Sequence, residues 1–283
     1  MTQPTSLVST EQLAAMLGQP HLRLYDCTTY LEPAPQGSTD PYLVVSGRKT
    51  FEAGHIPGAD FLDLQGEFSD PSTHLRFMMP ATAQLESAFG RYGLDASKTI
   101  VLYSIGSMMW ATRFWWMLRS LGVDARVLDG GFDKWKAEGQ PVEQGPPGGY
   151  PATTFKAAPR EGFFVDKSAV LAQIDDPSTT IVNALGPQFH RGQEPSRYGR
   201  RGRIPGSVNV PAATLVNAAD KTLTTLADAE VKFATQVRHT RQKRDLLLRR
   251  RHFRDHRSLP AGATRLRQAD ALRRFHGRMG QGS

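Results

Sequence analysis

Two rhythms of apolar residues run along this chain. Short runs without helical period, "HLRLYDC" (21–27), "TIVLYSI" (99–105) and "ARVLDGG" (125–131), read as buried strands. Between the last two lies "MMWATRFWWMLRSLG" (108–122). There Trp110, Phe114, Met117, Leu118 and Leu121 share one helical face, and Gly122 is placed to end the helix. Leu85, Phe89 and Tyr92 form a second stripe, predicting a helix over 81–92. "STEQ" (9–12) has the spacing of a capping box before "LAAML". Strands alternating with helices at this spacing imply a parallel sheet flanked by helices, an α/β fold.

The pattern pauses and then restarts. "GQPVEQGPPGGYPATTF" (139–155) is rich in Pro and Gly and has no period, so it reads as a linker. After it, "VDKSAVLAQIDD" (165–176) reads as a helix and "TTIVNAL" (179–185) as a strand. The restart is a repeat. "YDCTTYLEP" is followed after a loop by "AGHIPGADFLDL" (53–64); "VNALGPQFHRG" is followed by "RGRIPGSVNVPA" (201–212). The shared Ile-Pro-Gly-small core, at 56–59 and 204–207, combines a preset φ with a glycine turn.

Charge changes the picture only at the end of the chain. The 283 residues carry a net charge of +8. Residues 237–283 hold thirteen Arg and one Lys against three Asp, a net +11, so residues 1–236 carry −3. The basic character belongs to the tail, and the pI says nothing of the body. No apolar run reaches the ~18 residues a membrane helix needs, and the N-terminus lacks a basic-then-apolar leader. A cytoplasmic protein is expected. A single cysteine, Cys27, excludes an internal disulfide framework and a multi-Cys metal site. No cofactor or metal is expected.

"GHIPGA" (54–59), "RIPGSVNVP" (203–211) and "VLDGGFDKW" (127–135) resemble the flanking motifs of the tandem rhodaneses. This family of sulfurtransferases moves a sulfane sulfur from thiosulfate or 3-mercaptopyruvate to cyanide or a thiol. The resemblance covers roughly 5–235. It implies two tandem rhodanese-like domains, the first non-catalytic and the second carrying a nucleophilic Cys in a loop between strand and helix. It implies a small anionic sulfur donor and a thiol or cyanide acceptor as partners. Such a thiolate needs a depressed pKa, which inward-pointing loop amides and a helix N-terminus supply. The same donors stabilise the anionic persulfide.

Neither half carries that cysteine where it belongs. The first-half loop is "SIGSMMWA" (104–111), with Ser104 and Ser107 but no Cys, and Ser is a poor nucleophile toward sulfane sulfur. Cys27 follows a strand, where a small thiol packs well, and packing is the preferred reading. After "LADAEVKFAT" (226–235) the chain turns aperiodic: "DLLLRRRHFRDHR" (245–257) fits no helix face and no strand alternation.

A slipped reading register accounts for the change. Arg244 to Arg257 can be encoded so that a one-base shift gives Val-Ile-Cys-Tyr-Cys-Gly-Gly-Gly-Ile-Ser-Ala-Thr-Thr, a strand and then a loop similar to the rhodanese active-site loop. Met279-Gly280 is the stricter test, because ATG followed by any glycine codon must shift to TGG, Trp. Its surroundings can be shifted into Leu-Tyr-Asp-Ala-Ser-Met-Gly-Glu-Trp, with Asp and Trp six apart, as Asp129 and Trp135 are. On this reading Leu248 stands where the nucleophile belongs, the counterpart of Ile105 in the first half. The expected domains are 5–142, rhodanese-like and non-catalytic; 143–160, a linker; 161–236, a partial second rhodanese domain; and 237–283, a basic, out-of-frame, disordered tail. The second domain is then incomplete and should expose apolar surface where its missing strands would pack.

Two other readings of the tail stand beside this one. A non-catalytic rhodanese-like binding protein could contact nucleic acid through it, since basic runs bind phosphate without specificity. Only Phe253 and Phe275 are available for stacking, which weakens that reading. A solvated tail with no role is the other. Beyond the tail, His55 beside the first Ile-Pro-Gly reads as a solvated or capping His. "QFHRGQEPSRYGRRGR" (188–203) offers His190, Arg191, Arg197, Arg200, Arg201 and Arg203. Arg191 and Arg197 are the candidate anion-binding residues, since guanidinium forks suit oxyanions. An exposed basic loop is the competing reading. The family often has an Arg two residues after the strand's acidic residue; here those places hold Asn183 and Leu185.

Overall fold

The hydrophobic stripes build a five-stranded parallel sheet, and the internal repeat builds the start of a second. A computed structural model describes residues 6–237 apart from 39, 41, 74 and 195–199. Two compact units result. Among the described residues, one holds 6–165 with Asn217–Leu223; the other holds Asp166–Val216 and 224–237.

In the first unit, β1 (Leu7–Val8), β2 (Leu22–Asp26), β5 (Asp60–Phe61), β6 (Thr99–Tyr103) and β7 (Arg126–Leu128) align in the order β1-β7-β6-β2-β5. All of these pairings are parallel. An antiparallel pair, β3 (Thr29–Glu32) with β4 (Leu43–Ser46), stands outside the sheet. β2 is buried at all five positions, as a strand covered on both faces must be. Strand alternation then sorts its neighbours. Leu22, Leu24, Val101, Tyr103 and Leu128 pack with Leu13 of α1 (Thr10–Ala14), Phe51 of α2 (Arg48–Ala53), and Phe132 and Trp135 of α5 (Gly131–Ala137). α4 (Met109–Ser120) packs on β6 and β7. Its Phe114 meets Phe68, which also meets Phe89 of α3 (Thr82–Arg91).

The helix signals hold in detail. Ser9 and Gln12 exchange both bonds of the capping box, Gln12 N donating to Ser9 Oγ at 3.1 Å and Ser9 N to Gln12 Oε1 at 3.0 Å. Trp110, Phe114, Met117, Leu118 and Leu121 are all buried. Gly122 follows the α4 cap with φ +83°. The aperiodic 139–155 segment packs on the first unit rather than hanging free. Tyr150 Oη accepts from Leu24 N at 3.0 Å and donates to Gly58 O at 2.6 Å, and Thr153 N donates to Gly90 O at 2.8 Å. His55 is buried, not solvated. Its ring stacks on Phe51 at 3.9 Å, with Nδ1 2.9 Å from Phe51 O.

The "LDGGFDKW" motif is explained residue by residue. Asp129 Oδ1 accepts from Leu223 N at 2.8 Å. Gly130 and Gly131 both take left-handed backbone, at φ +88° and +59°. A Cβ on Gly131 would lie 2.5 Å from Ser104 O, so only glycine lets α5 reach the end of β6. Trp135 is fully buried, and its Nε1 donates to Pro141 O at 2.7 Å.

The second unit repeats the opening of this plan. Asp166 caps α6 (Lys167–Ala172) by accepting from Ala169 N at 2.7 Å. β8 (Val182–Asn183) pairs in parallel with β9 (Val208–Asn209), with α7 (Pro187–Arg191) between them in sequence. A 3-10 turn (Ala212–Leu215) and helical residues 226–237 follow. The strands are shorter than the apolar runs that predict them. β7 stops at Leu128, where the glycine pair turns the chain, and β8 is two residues long because only β9 pairs with it among the described residues.

The Ile-Pro-Gly turns coincide. Gly58 and Gly206 have φ +76° and +74°; Ala59 N donates to Ile56 O at 3.0 Å and Ser207 N to Ile204 O at 3.1 Å. Packing differs sharply between the units. In the second, Val208 and Val210 are the buried apolar residues, whereas Leu171, Leu185 and Val231 are 55%, 58% and 65% exposed.

Gly131→Ala is expected to destabilise the first unit by at least about 2 kcal/mol. Left-handed backbone costs an L-residue roughly 1–2 kcal/mol and the contact with Ser104 O adds to it. A lower urea midpoint at unchanged slope would register this.

Candidate active site

In an open parallel sheet, ligands bind beyond the carboxyl ends of the strands. In the first unit the relevant loop runs from Ser104 to Met108, between β6 and α4. Three of its amides are already taken. Ile105 N donates to Thr28 Oγ1 at 3.0 Å, Gly106 N to the Asp133 carboxylate at 2.6 Å and Ser107 N to Ile105 O at 2.8 Å. Met109 N donates to Ser107 Oγ at 3.2 Å, and Ser104 Oγ donates to Ser107 O at 2.6 Å. A cradle for a thiolate or persulfide needs free N–H groups and positive potential. Here a carboxylate fills one donor, and its negative charge opposes any anion brought to the loop.

Cys27 cannot take the nucleophile's place. Its side chain is completely buried, and burial and the neighbouring Asp26 push its thiol well above the ordinary range. Its Sγ lies 3.9 Å from Tyr25 O. A thiol held protonated and sealed from solvent is inert. Asp26 anchors this loop through Thr28. Its Oδ1 accepts from Thr28 N at 2.8 Å and from the Thr28 hydroxyl, which itself accepts from Ile105 N. Burial raises the Asp26 carboxyl to about 7, against the bonds from Thr28 and Tyr103 that lower it.

In the second unit polar groups lie at the carboxyl ends of β8 and β9, and cationic groups on α7 and in the chain ahead of β9. Asn209 Nδ2 donates to Asn183 O at 2.9 Å and to Leu185 O at 2.8 Å, which fixes the chain as it leaves β8. Arg191 is exposed; its Nε donates to Gln193 Oε1 at 2.9 Å and its Nη2 to Gln188 Oε1 at 3.0 Å. Both acceptors are neutral, so its charge stays available to an anion. Arg203 Nη1 donates to His190 O at 3.1 Å. His190 Nε2 lies 3.3 Å from Ser207 O. Burial, then Arg203 and Arg191, depress its pKa against the Ser207 contact. His190, Arg191 and Arg203 are thus brought together. Arg200 and Arg201 are exposed. Arg197 and Leu248 lie outside the described residues.

Residues 9–138 match the family model of the rhodanese-like domain. A probable 3-mercaptopyruvate sulfurtransferase of Pseudomonas aeruginosa is 32% identical over 206 residues, spanning 71% of this chain and 69% of that protein. The chain belongs to the rhodanese family of sulfurtransferases. The 3-mercaptopyruvate sulfurtransferase of Escherichia coli K12 is 30% identical over 228 residues, 80% of this chain and 78% of that one. Thiosulfate sulfurtransferase of Rattus norvegicus is 32% identical over 217 residues, 73% and 69%. A crystal structure of a 3-mercaptopyruvate sulfotransferase from Escherichia coli aligns with TM-score 0.68 at 28% identity, covering 82% of this chain and 84% of that one. The α/β architecture of tandem rhodanese units, the second incomplete among the described residues, agrees with these relatives. No helix of the described residues is long and apolar enough to cross a membrane.

Sequence reasoning missed two residues that bind the first rhodanese loop, Asp133 and Thr28. Asp133 stands inside "LDGGFDKW", a motif visible from the start, but only the fold brings it to Gly106.

Two outcomes follow from the loop chemistry. A thiol installed by Ile105→Cys should titrate at or above the ordinary value of about 8.5, and adding Asp133→Asn should lower it by about one unit. Thiolate ultraviolet absorbance against pH would show this. For Asp26 the folded pKa lies above the unfolded value of about 3.9, so the folded state binds the extra proton. The Asp26 contribution to stability is fully present below about pH 4 and is lost as pH rises through about 7, by a few kcal/mol. Asp26→Asn should flatten this fall; burial also raises Asp60 and Asp129, so part of the slope should persist in urea midpoints taken across pH 4–8.

Proposed function

We propose that this chain is the product of a tandem rhodanese sulfurtransferase gene and that, as written, it is catalytically silent. Residues 5–142 serve as the non-catalytic rhodanese scaffold and 143–160 as the connecting segment. Residues 161–236 are the opening part of the catalytic domain, and 237–283 are read out of register. Leu248 occupies the nucleophile's position. The observation that carries the proposal is the lack of a usable thiol: the silent loop has none, and Cys27 is sealed in the core.

The chemistry of the intact site is a ping-pong sulfur relay. A cysteine thiolate attacks the sulfane sulfur of thiosulfate, the sulfur–sulfur bond breaks, and sulfite leaves with the electron pair. The resulting persulfide passes its outer sulfur to cyanide, giving thiocyanate and regenerating the thiolate. With 3-mercaptopyruvate as donor, pyruvate leaves instead. Arg191 and Arg197 bind the anionic donor, and the field of Arg203 beside Arg191 favours the same role for this face. The protein acts in the cytoplasm.

Thiosulfate with cyanide should yield no thiocyanate above background with the purified chain, measured as its ferric complex. Turnover that disappears when Cys27 is blocked would overturn the assignment. Sequencing the coding DNA from codon 234 to 245 tests the register directly.

A further inference from the structure

We propose that His190, Arg191 and Arg203 form a proton-linked oxyanion site: a small divalent oxyanion held by the two guanidinium groups draws a proton onto His190, so it binds more tightly as pH falls. The proposal rests on the reading of Arg191 as a residue for the anionic donor, and adds to it a titrating charge and a preferred ligand class.

Two glycines bring the three residues together. α7 ends at Gly192, whose backbone is left-handed at φ +71° and whose N donates to Phe189 O at 3.0 Å. A Cβ at Gly192 would lie 3.3 Å from both Cα and N of Gly202. The chain ahead of β9 therefore crosses the end of α7 almost backbone to backbone, and a larger residue at 192 would push it away. Arg191 and Arg203 each stand one residue from these glycines. Arg203 Nη1 then reaches back to His190 O at 3.1 Å.

The two charges have no counter-charge of their own. Arg191 donates to the amide oxygens of Gln193 and Gln188, and Arg203 to a backbone carbonyl, all neutral acceptors. Among the described residues no carboxylate forms an ion pair with either guanidinium, Glu194 included. β8 and β9 contribute Val182, Asn183, Val208 and Asn209, none of them charged. Arg200 and Arg201 are further exposed cations on the same segment. Guanidinium groups left in this state attract an oxyanion.

His190 is placed to respond. It is partly buried, and its Nε2 lies 3.3 Å from Ser207 O and 3.4 Å from Ser207 Oγ. Its Nδ1 has no hydrogen-bond partner among the described residues. Burial first, and then Arg203 and Arg191, hold the proton off the ring, against the Ser207 carbonyl. Two of these causes are positive charges, and an anion bound to them cancels their field at the ring. With the proton on, both ring nitrogens are donors: Nε2 serves Ser207 O, which leaves Nδ1 for a ligand oxygen. A dianion cancels more of the field than a monocarboxylate does, so the linkage favours ligands of the sulfate and thiosulfate type.

The test follows the His190 Hε1 proton of the full chain by NMR from pH 4.5 to 8, the signal being identified by its loss in His190→Gln. Sodium sulfate is compared with sodium chloride at equal ionic strength. Sulfate should raise the His190 midpoint by about half a pH unit, the order expected of two charges acting through water within the Debye length. Calorimetry should show sulfate binding about three-fold tighter at the acid end than at pH 8, which is the same half unit seen from the ligand's side. In His190→Gln this pH dependence should vanish. Arg203→Gln should raise the His190 midpoint in chloride and weaken sulfate about ten-fold. Sulfate that binds equally across the range, or that leaves the midpoint where chloride puts it, overturns the linkage while the reading of Arg191 survives. If sulfate does not bind at any pH, that reading falls as well. A pH dependence that persists in His190→Gln belongs to another group and also overturns the proposal.

Discussion

A β-strand offers hydrogen-bonding groups on two edges, and a buried strand must have both edges met. β2 meets this condition, with β5 on one side and β6 on the other. β8, its equivalent in the repeat, is paired with β9 alone among the described residues. Much follows from that difference. Where both edges are paired, helices can close over both faces and a core of Phe, Leu and Trp side chains forms. Where one edge is open, burial contracts to Val208 and Val210.

The first unit shows how a rhodanese loop can be held in place by its own chain. Asp26, Thr28 and Ile105 form one hydrogen-bonded line, and Asp133 takes the Gly106 amide from the other side. These contacts hold the strand-to-helix turn without a ligand. They also spend the donors on which anion binding depends. A loop optimised as scaffold in this way is a poor starting point for a sulfur carrier, because a carboxylate and a persulfide compete for the same amides. The buried Asp26 carries a stability cost at neutral pH, offset by the bonds it accepts.

Much of the site was legible because rhodanese chemistry depends on few residues. The lack of a thiol in "SIGSMMWA" needed no coordinates, and the repeat of Ile-Pro-Gly located both turns before either was seen. Of the two readings of His55 the capping one holds, with Nδ1 on Phe51 O of α2, and the solvated one fails, because burial of a polar ring depends on what stacks over it, here Phe51, which no local pattern reveals. The packing of the linker segment 139–155 was hidden for a similar reason. Its contacts run from Tyr150 to Leu24 and Gly58, far away in sequence.

By itself the sequence determined the fold class, the tandem repeat, the family motifs and the place where periodic patterning stops. Those properties are written in spacing, and spacing is local. Tertiary structure alone decided that Asp133 reaches Gly106, that Cys27 is sealed, and that Val182 and Ile204 lie bare while Tyr25 and Ile56 are covered. Each depends on the meeting of residues distant in the chain, and pairing of that kind is settled by which strand edges and faces find a partner.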